Sequence, residues 1–159
     1  IPRGLFDKCT QVGNFKSTFS GCAALTAIPQ GLFDNCTNVT SFWCTFLGCS
    51  ALTAIPQGLF DKNTQVTNFG CTFESCKALT AIPQGLFDKC TLVTSFDETF
   101  YECEALTCES PYTLINGQKV HLHERKDYPN HFTTPTSYND CFYKCTGLTD
   151  YNEIPADWK

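Results

Sequence analysis

A chain of 159 residues, 42% hydrophobic and 17% charged, is long enough for one domain with a core and falls outside the disordered and collagen-like classes. A formal net charge of -5 and eleven scattered Lys and Arg residues argue against a nucleic-acid or anionic-membrane partner, which would need a clustered basic surface. No run approaches the roughly 18 consecutive apolar residues of a membrane span.

From the first residue the chain repeats one phrase at a period of 27, with copies beginning at Ile1, Ile28, Ile55 and Ile82. Such regularity predicts an array of stacked coils. Ile-Pro, Gly-Leu-Phe-Asp, Thr, Val, Phe, Thr-Phe, Cys and Ala-Leu-Thr return in every copy, and twelve of the fourteen phenylalanines fall in three columns, headed by Phe6, Phe15 and Phe19. These columns read as ladders of identical side chains, coil upon coil. A single 27-residue coil buries too little to fold alone, so stability must be a sum over neighbouring coils. Within each copy, Pro after Ile ends the LTAI segment and Gly-Leu-Phe-Asp permits one helical or 3-10 turn before the chain reverses. Apolar residues three apart in VTxF and LTAI predict short strands in a tight coil.

The segment from Asn38 to Asp61, NVTSFWCTFLGCSALTAIPQGLFD, resembles the BspA-like class of leucine-rich repeats, whose units read N-V-T-x-[MF]-x-x-[MT]-F-x-G-C-x-x-L-T-x-[LI]. The similarity covers Ile1 to about Thr107 and returns from Tyr138 to Pro155, about three quarters of the chain. Ile82 to Val93, IPQGLFDKCTLV, is also similar to the LP-x-G-x-F arc of extracellular leucine-rich repeats, with Cys or Asn where Leu is usual. The resemblance implies a right-handed solenoid used for binding and adhesion by bacterial surface or secreted proteins, without catalysis. The expected fold is therefore a leucine-rich-repeat-like α/β solenoid, with short parallel strands, short helical turns, a β-hairpin insertion and a C-terminal cap. Because Ile1 opens a full coil without a polar cap, the chain is expected to be a fragment, and a missing leader says nothing about export.

Twelve cysteines would suit a disulfide scaffold, but their spacing argues otherwise. Cys22, Cys49, Cys76, Cys103 and Cys145 form one column, and Cys9, Cys36 and Cys90 a second that Asn63 interrupts. Exchange of Cys for Asn points to small buried groups bonded to turn backbone, so these eight are expected to be reduced and buried. Cys44 and Cys71 share a column in adjacent coils and are the best candidates for exposed thiols; parallel strands about 5 Å apart leave a cross-coil disulfide open.

The period breaks after residue 107 of the four-repeat solenoid, 1–107. An insertion, 108–134, carries about 15 extra residues, and Asn116-Gly117 between β-rich runs predicts a hairpin over Tyr112 to Leu122. Residues 135–159 resume the frame, since Ser137 to Thr149 matches Ser95 to Thr107, and end in a polar capping half-repeat. His121, His123, Glu124 and His131 can be drawn as a weak metal site, but an edge strand with solvated imidazoles explains them better, so no metal and no cofactor is expected. No catalytic frame appears, and no residue is assigned a catalytic role.

The columns that the framework leaves free are concentrated after the VTxF segment: Lys16, Trp43, Gly70, Asp97; then Ser17, Cys44, Cys71, Glu98; then Ser20, Leu47, Glu74, Tyr101. Stacked, they form one strip, expected to bind a protein or glycan on a host or neighbouring cell, at the cell surface or outside it, with Trp43, Leu47 and Tyr101 as anchors. The alternatives are a receptor-binding part of a phage tail or fimbria, a purely structural spacer, and an enzyme working through His121, His123 or an exposed thiol.

Overall fold

The computed structural model describes all residues, 1–159. The 27-residue copies are successive coils of a solenoid, held in register by parallel one-residue bridges running Asn14, Ser41, Asn68, Ser95, Ser137. Around each bridge, alternate amides point to the next coil. Phe42, Cys44, Phe46 and Gly48 donate to the carbonyls of Asn68, Gly70, Thr72 and Glu74 at 2.8–3.0 Å. The amides between them turn back into their own coil, as Thr45 N to Phe42 O at 3.0 Å and Cys49 N to Phe46 O at 3.1 Å.

Two expected elements are corrected. The parallel strands shrink to single bridges, because the residue three positions after each bridging residue has a positive φ: Ser17, Cys44, Cys71 and Glu98 lie between 50° and 55°. Left-handed backbone ends an extended run at once. The Gly-Leu-Phe-Asp helical turns are isolated hydrogen-bonded turns, Asp34 N to Gly31 O at 3.1 Å for example, because Gly31, Gly58 and Gly85 sit at φ 68–71° and stop helix propagation. The 3-10 helices lie in the insertion and tail, at Leu122–Asp127, Tyr151–Glu153 and Ala156–Trp158.

The core is the three phenylalanine ladders. Phe42 stacks on Phe69 at 5.7 Å, Phe46 on Phe73 at 5.6 Å and Phe33 on Phe60 at 6.2 Å, all within 10° of parallel. Between ladders the rings tilt, as Phe42 against Phe60 at 4.7 Å and 47°, a geometry that aromatic quadrupoles favour. Polar ladders run alongside. Thr72 Oγ1 donates to Phe42 O at 3.0 Å, and Cys76 and Cys103 thiols donate to Phe46 O and Phe73 O at 3.3 and 3.0 Å. In the second column Asn63 Nδ2 donates to Phe33 O and Cys36 O, at 3.2 and 2.9 Å. All twelve thiols are free, those of Cys44 and Cys71 included. The expectation that these two are the exposed ones is overturned: both are buried between coils, whereas Cys22 is exposed and Cys9 half-buried, two of the eight expected to be buried.

Beyond the fourth coil, strands β1 (Tyr112–Ile115) and β2 (Gln118–His121) pair antiparallel about Asn116 and Gly117, both at positive φ. The 3-10 turn after β2 delivers Arg125 into the solenoid's end. Its guanidinium donates to Cys90 O and Phe87 O, each at 3.0 Å, and lies 4.2 Å from the Phe132 ring centroid. Cys90 makes the same pair of contacts one coil earlier, to Phe60 O and Asn63 O. Arg125 therefore supplies the missing fifth rung of the Cys36, Asn63, Cys90 column. Burial draws its pKa down to about 10, against the weaker opposing pull of Cys90 and Asp88. At the far end Trp158 stacks on Tyr138 at 4.6 Å and 4°, closing the ladder that Phe96 would otherwise leave open.

Arg125→Met should leave the buried Phe87 and Cys90 carbonyls without donors and destabilise the chain by roughly 2 to 4 kcal/mol in denaturant unfolding. A loss under about 1 kcal/mol would show that water takes over those carbonyls. A second outcome concerns pH. Burial holds the His123 imidazole below its ordinary pKa, and its Nδ1 is buried without a partner. A base with a depressed folded pKa favours folding while neutral, so this contribution is present above the unfolded value near 6.5 and is lost as pH falls below it. Melting temperature should fall between pH 7 and 5, and His123→Asn should flatten that fall; identical profiles would remove His123 as the cause.

Candidate functional site

Because coils stack in register, the three free columns lie side by side along the solenoid. The turn that defines them is the left-handed residue at Ser17, Cys44, Cys71 and Glu98, which Asp140 continues at φ 53°. The next left-handed column, Gly21, Gly48, Ser75, Glu102 and Lys144, is partly glycine; this one never is.

Lys16, Trp43 and Gly70 form one packed unit. Lys16 Nζ stands 4.3 Å from the Trp43 ring centroid, and a Cβ on Gly70 would meet Trp43 Cδ1 at 3.0 Å. The indole packs against Gly70 of the next coil and is half-buried, so Trp43 is framework as well as surface. Asp97, next in that column, is committed to the last coil: Ser137 Oγ donates to its Oδ2 and the Asn139 amide to its Oδ1 at 2.8 Å. Leu47 is half-buried, and Ser17 and Ser20 are exposed on the first coil. Tyr101 stacks on Tyr143 at 4.8 Å, with Tyr143 37% exposed. Tyr143 extends the Tyr101 column by one rung, a position that the match of Ser137 to Thr149 with Ser95 to Thr107 places there.

Between these aromatic units, Cys44, Cys71, Glu74 and Glu98 converge. Cys71 Sγ donates to Glu98 Oε2 at 3.5 Å, Cys44 stands one coil away from Cys71 in the same column, and Glu74 faces the Cys71 sulfur. Ligand atoms of Cys71, Glu74 and Glu98 all lie within 4.8 Å of one another. Desolvation, then Cys44 and the two carboxylates, pushes the Cys71 thiol far up; desolvation also raises Cys44 and Glu74.

A second constellation joins the insertion to the tail. Ser110 N and Oγ donate to Asp150 at 2.9 and 2.6 Å, Ser110 Oγ lies 2.9 Å from His121 Nδ1, and His121 Nε2 lies 3.5 Å from Glu109 Oε1. Reading the sequence missed it because Ser110 and Asp150 stand 40 residues apart; His121 in the hairpin was its one visible member. The residues have the names of a hydrolytic triad but the wiring of a staple. The only hydroxyl proton of Ser110 goes to Asp150, so His121 cannot act as its base, and Ser110 is 1% exposed. His123 lies beside His121, rings 5.6 Å apart and nearly parallel, whereas His131 is exposed and packs against Phe132. The imidazoles at 121 and 123 are thus packed rather than solvated, as the edge-strand reading had them.

No family model matches the chain, and none of the curated proteins does. Among solved structures it is similar to a leucine-rich cell-surface protein from Faecalibacterium prausnitzii A2-165, at 21% identity and a TM-score of 0.40, over 88% of this chain and 36% of that one. It is also similar to the APL1 leucine-rich repeat domain, at 14% identity and a TM-score of 0.33, over 71% of this chain and 37% of that domain. A leucine-rich repeat protein of T. pallidum follows at 19% identity and a TM-score of 0.25, over 63% and 62% of the two chains. The chain thus spans a little over a third of the first two. No helix is long and apolar enough to cross a membrane.

Proposed function

We propose that this chain is a non-enzymatic binding module of the BspA-like type, part of a bacterial cell-surface or secreted protein, which recognises a protein or glycan on a host or neighbouring cell through the strip of free columns. The observation that carries the reading is the placement of large side chains in that strip. Tyr101 and Tyr143 stack as a pair at the surface and the Trp43 ring lies under Lys16, while the Ile-Pro-x-Gly-Leu-Phe-Asp half keeps its chemistry from coil to coil. Stacked aromatics offer contact area with little side-chain entropy to lose, and flat aromatic faces suit sugar rings and peptide planes equally. A spacer needs no such variation in one half of its repeat.

Because Trp43 is packed against Gly70, its truncation would mix stability with recognition; the tyrosine pair is the cleaner test. Against a panel of immobilised glycans and extracellular proteins, the wild-type chain should bind at least one ligand. Tyr101→Ala with Tyr143→Ala should weaken that binding tenfold or more with a melting temperature within a few degrees of wild type, as loss of an interface anchor does. Leu92→Ser, on the other half of the coil, should change neither. Binding unaffected by the tyrosine pair, or lost equally with Leu92→Ser, would favour the spacer.

A further inference from the structure

The cluster in the middle of the strip has a chemistry that recognition does not use. Cys44, Cys71 and Glu98 occupy one left-handed column on three successive coils, so their side chains leave the backbone in the same direction. Glu74, three residues after Cys71, closes the group from the side. The four present two thiols and two carboxylates, yet no lysine or arginine forms an ion pair with Glu74 or Glu98; the basic residues nearby go elsewhere, Lys16 to Trp43 and Lys77 to Glu102 and Glu104. One S–H of Cys71 faces two carboxylates and can donate to only one. Two half-buried carboxylates held against a buried thiol without a counter-charge are what a bound cation resolves.

The geometry points to a single-ion site for a thiophilic divalent cation, zinc-like in preference, held by Cys71, Glu74 and Glu98, with Cys44, one coil away in the same column, supplying the fourth donor. Two sulfur and two oxygen donors suit a borderline-soft, tetrahedral ion better than calcium or magnesium, which take oxygen alone. Zinc–sulfur and zinc–oxygen bonds of about 2.3 and 2.1 Å place donors about 3.3 to 3.8 Å apart, so the ligand atoms of Cys71, Glu74 and Glu98, now within 4.8 Å of one another, need close by about 1 Å, and Cys44 joins them by turning its thiol in from the neighbouring coil. The step balances as M²⁺ plus two thiols giving the dithiolate complex and two protons, with no change of oxidation state. Bound there, the ion would clip three successive coils together, and it does not depend on the strip having a macromolecular partner.

The test uses the full chain, reduced and stripped with chelator, titrated anaerobically with Co²⁺ and then Zn²⁺. One Co²⁺ per chain should bind with thiolate-to-cobalt charge-transfer absorption and tetrahedral d–d bands, and Zn²⁺ should bleach both. Cys44→Ser with Cys71→Ser should abolish the absorption, Glu74→Gln or Glu98→Gln should weaken binding tenfold or more, and Cys22→Ser should leave it unchanged. Absence of the charge-transfer band, its survival in the double serine variant, or its loss with Cys22→Ser would overturn the site. Should the double variant fail to fold, alkylation of the wild-type chain decides: Zn²⁺ should slow labelling of Cys44 and Cys71 at least tenfold relative to Cys22, and equal rates overturn the proposal.

Discussion

Everything in this molecule depends on one register: an amide in one coil meeting a carbonyl 26 residues ahead in the next, as Phe15 N meets Ser41 O, Phe42 N meets Asn68 O and Phe69 N meets Ser95 O, all at 3.0 Å. A buried backbone group without a partner is expensive, so a coil is complete only when its neighbour is in place. The same offset stacks Phe on Phe, Thr on Thr and Cys on Cys, which is why the repeat tolerates so little change at framework positions. A shift of one residue would break the aromatic ladders and the amide ladder together.

A solenoid solved this way has open ends, and here the C-terminal end is closed by substitution rather than by polarity alone. Arg125 reaches from the insertion to the two carbonyls that a fifth Cys or Asn rung would have bonded, and Trp158 with Tyr138 continues the phenylalanine ladder. The Ser110, Asp150 and His121 network then ties insertion and tail to each other. The insertion interrupts the sequence period without interrupting the hydrogen-bond pattern. That pattern is what the physics requires to be continuous.

How much of this is legible in the sequence follows from the same distinction. The 27-residue period, the three phenylalanine columns and the Asn63-for-Cys exchange are written in residue types at fixed spacing, and stacking of those columns is their direct consequence. Three things are not written there. The left-handed backbone at Cys44 and Cys71 is unmarked by glycine, so VTxF reads as a strand and the two thiols read as exposed. The identity of Arg125 as a rung is invisible because a long cation replaces a thiol and an amide that look nothing like it. Trp43 reads as a surface anchor because its cover, Gly70, is a residue whose significance is the absence of a side chain. Each failure is a place where backbone conformation or empty space, rather than side-chain chemistry, decides.

The left-handed column itself shows how a repeat can concentrate chemistry. Holding a residue other than glycine there costs about 1 kcal/mol or more, and the column does so five times, with Ser17, Cys44, Cys71, Glu98 and Asp140. Glycine is not scarce in this repeat, since Gly4, Gly31, Gly58 and Gly85 fill another left-handed column throughout. Side chains are therefore present at the position where they are most strained. A shared left-handed conformation gives every Cα–Cβ bond in the column the same direction, so neighbours one coil apart start out side by side. Residues that stand there can act as a group, as the Cys71 thiol does in donating to the Glu98 carboxylate one coil on. The chemistry of the strip thus belongs to pairs and triples of coils, and changing one coil in this column alters the environment of the two beside it.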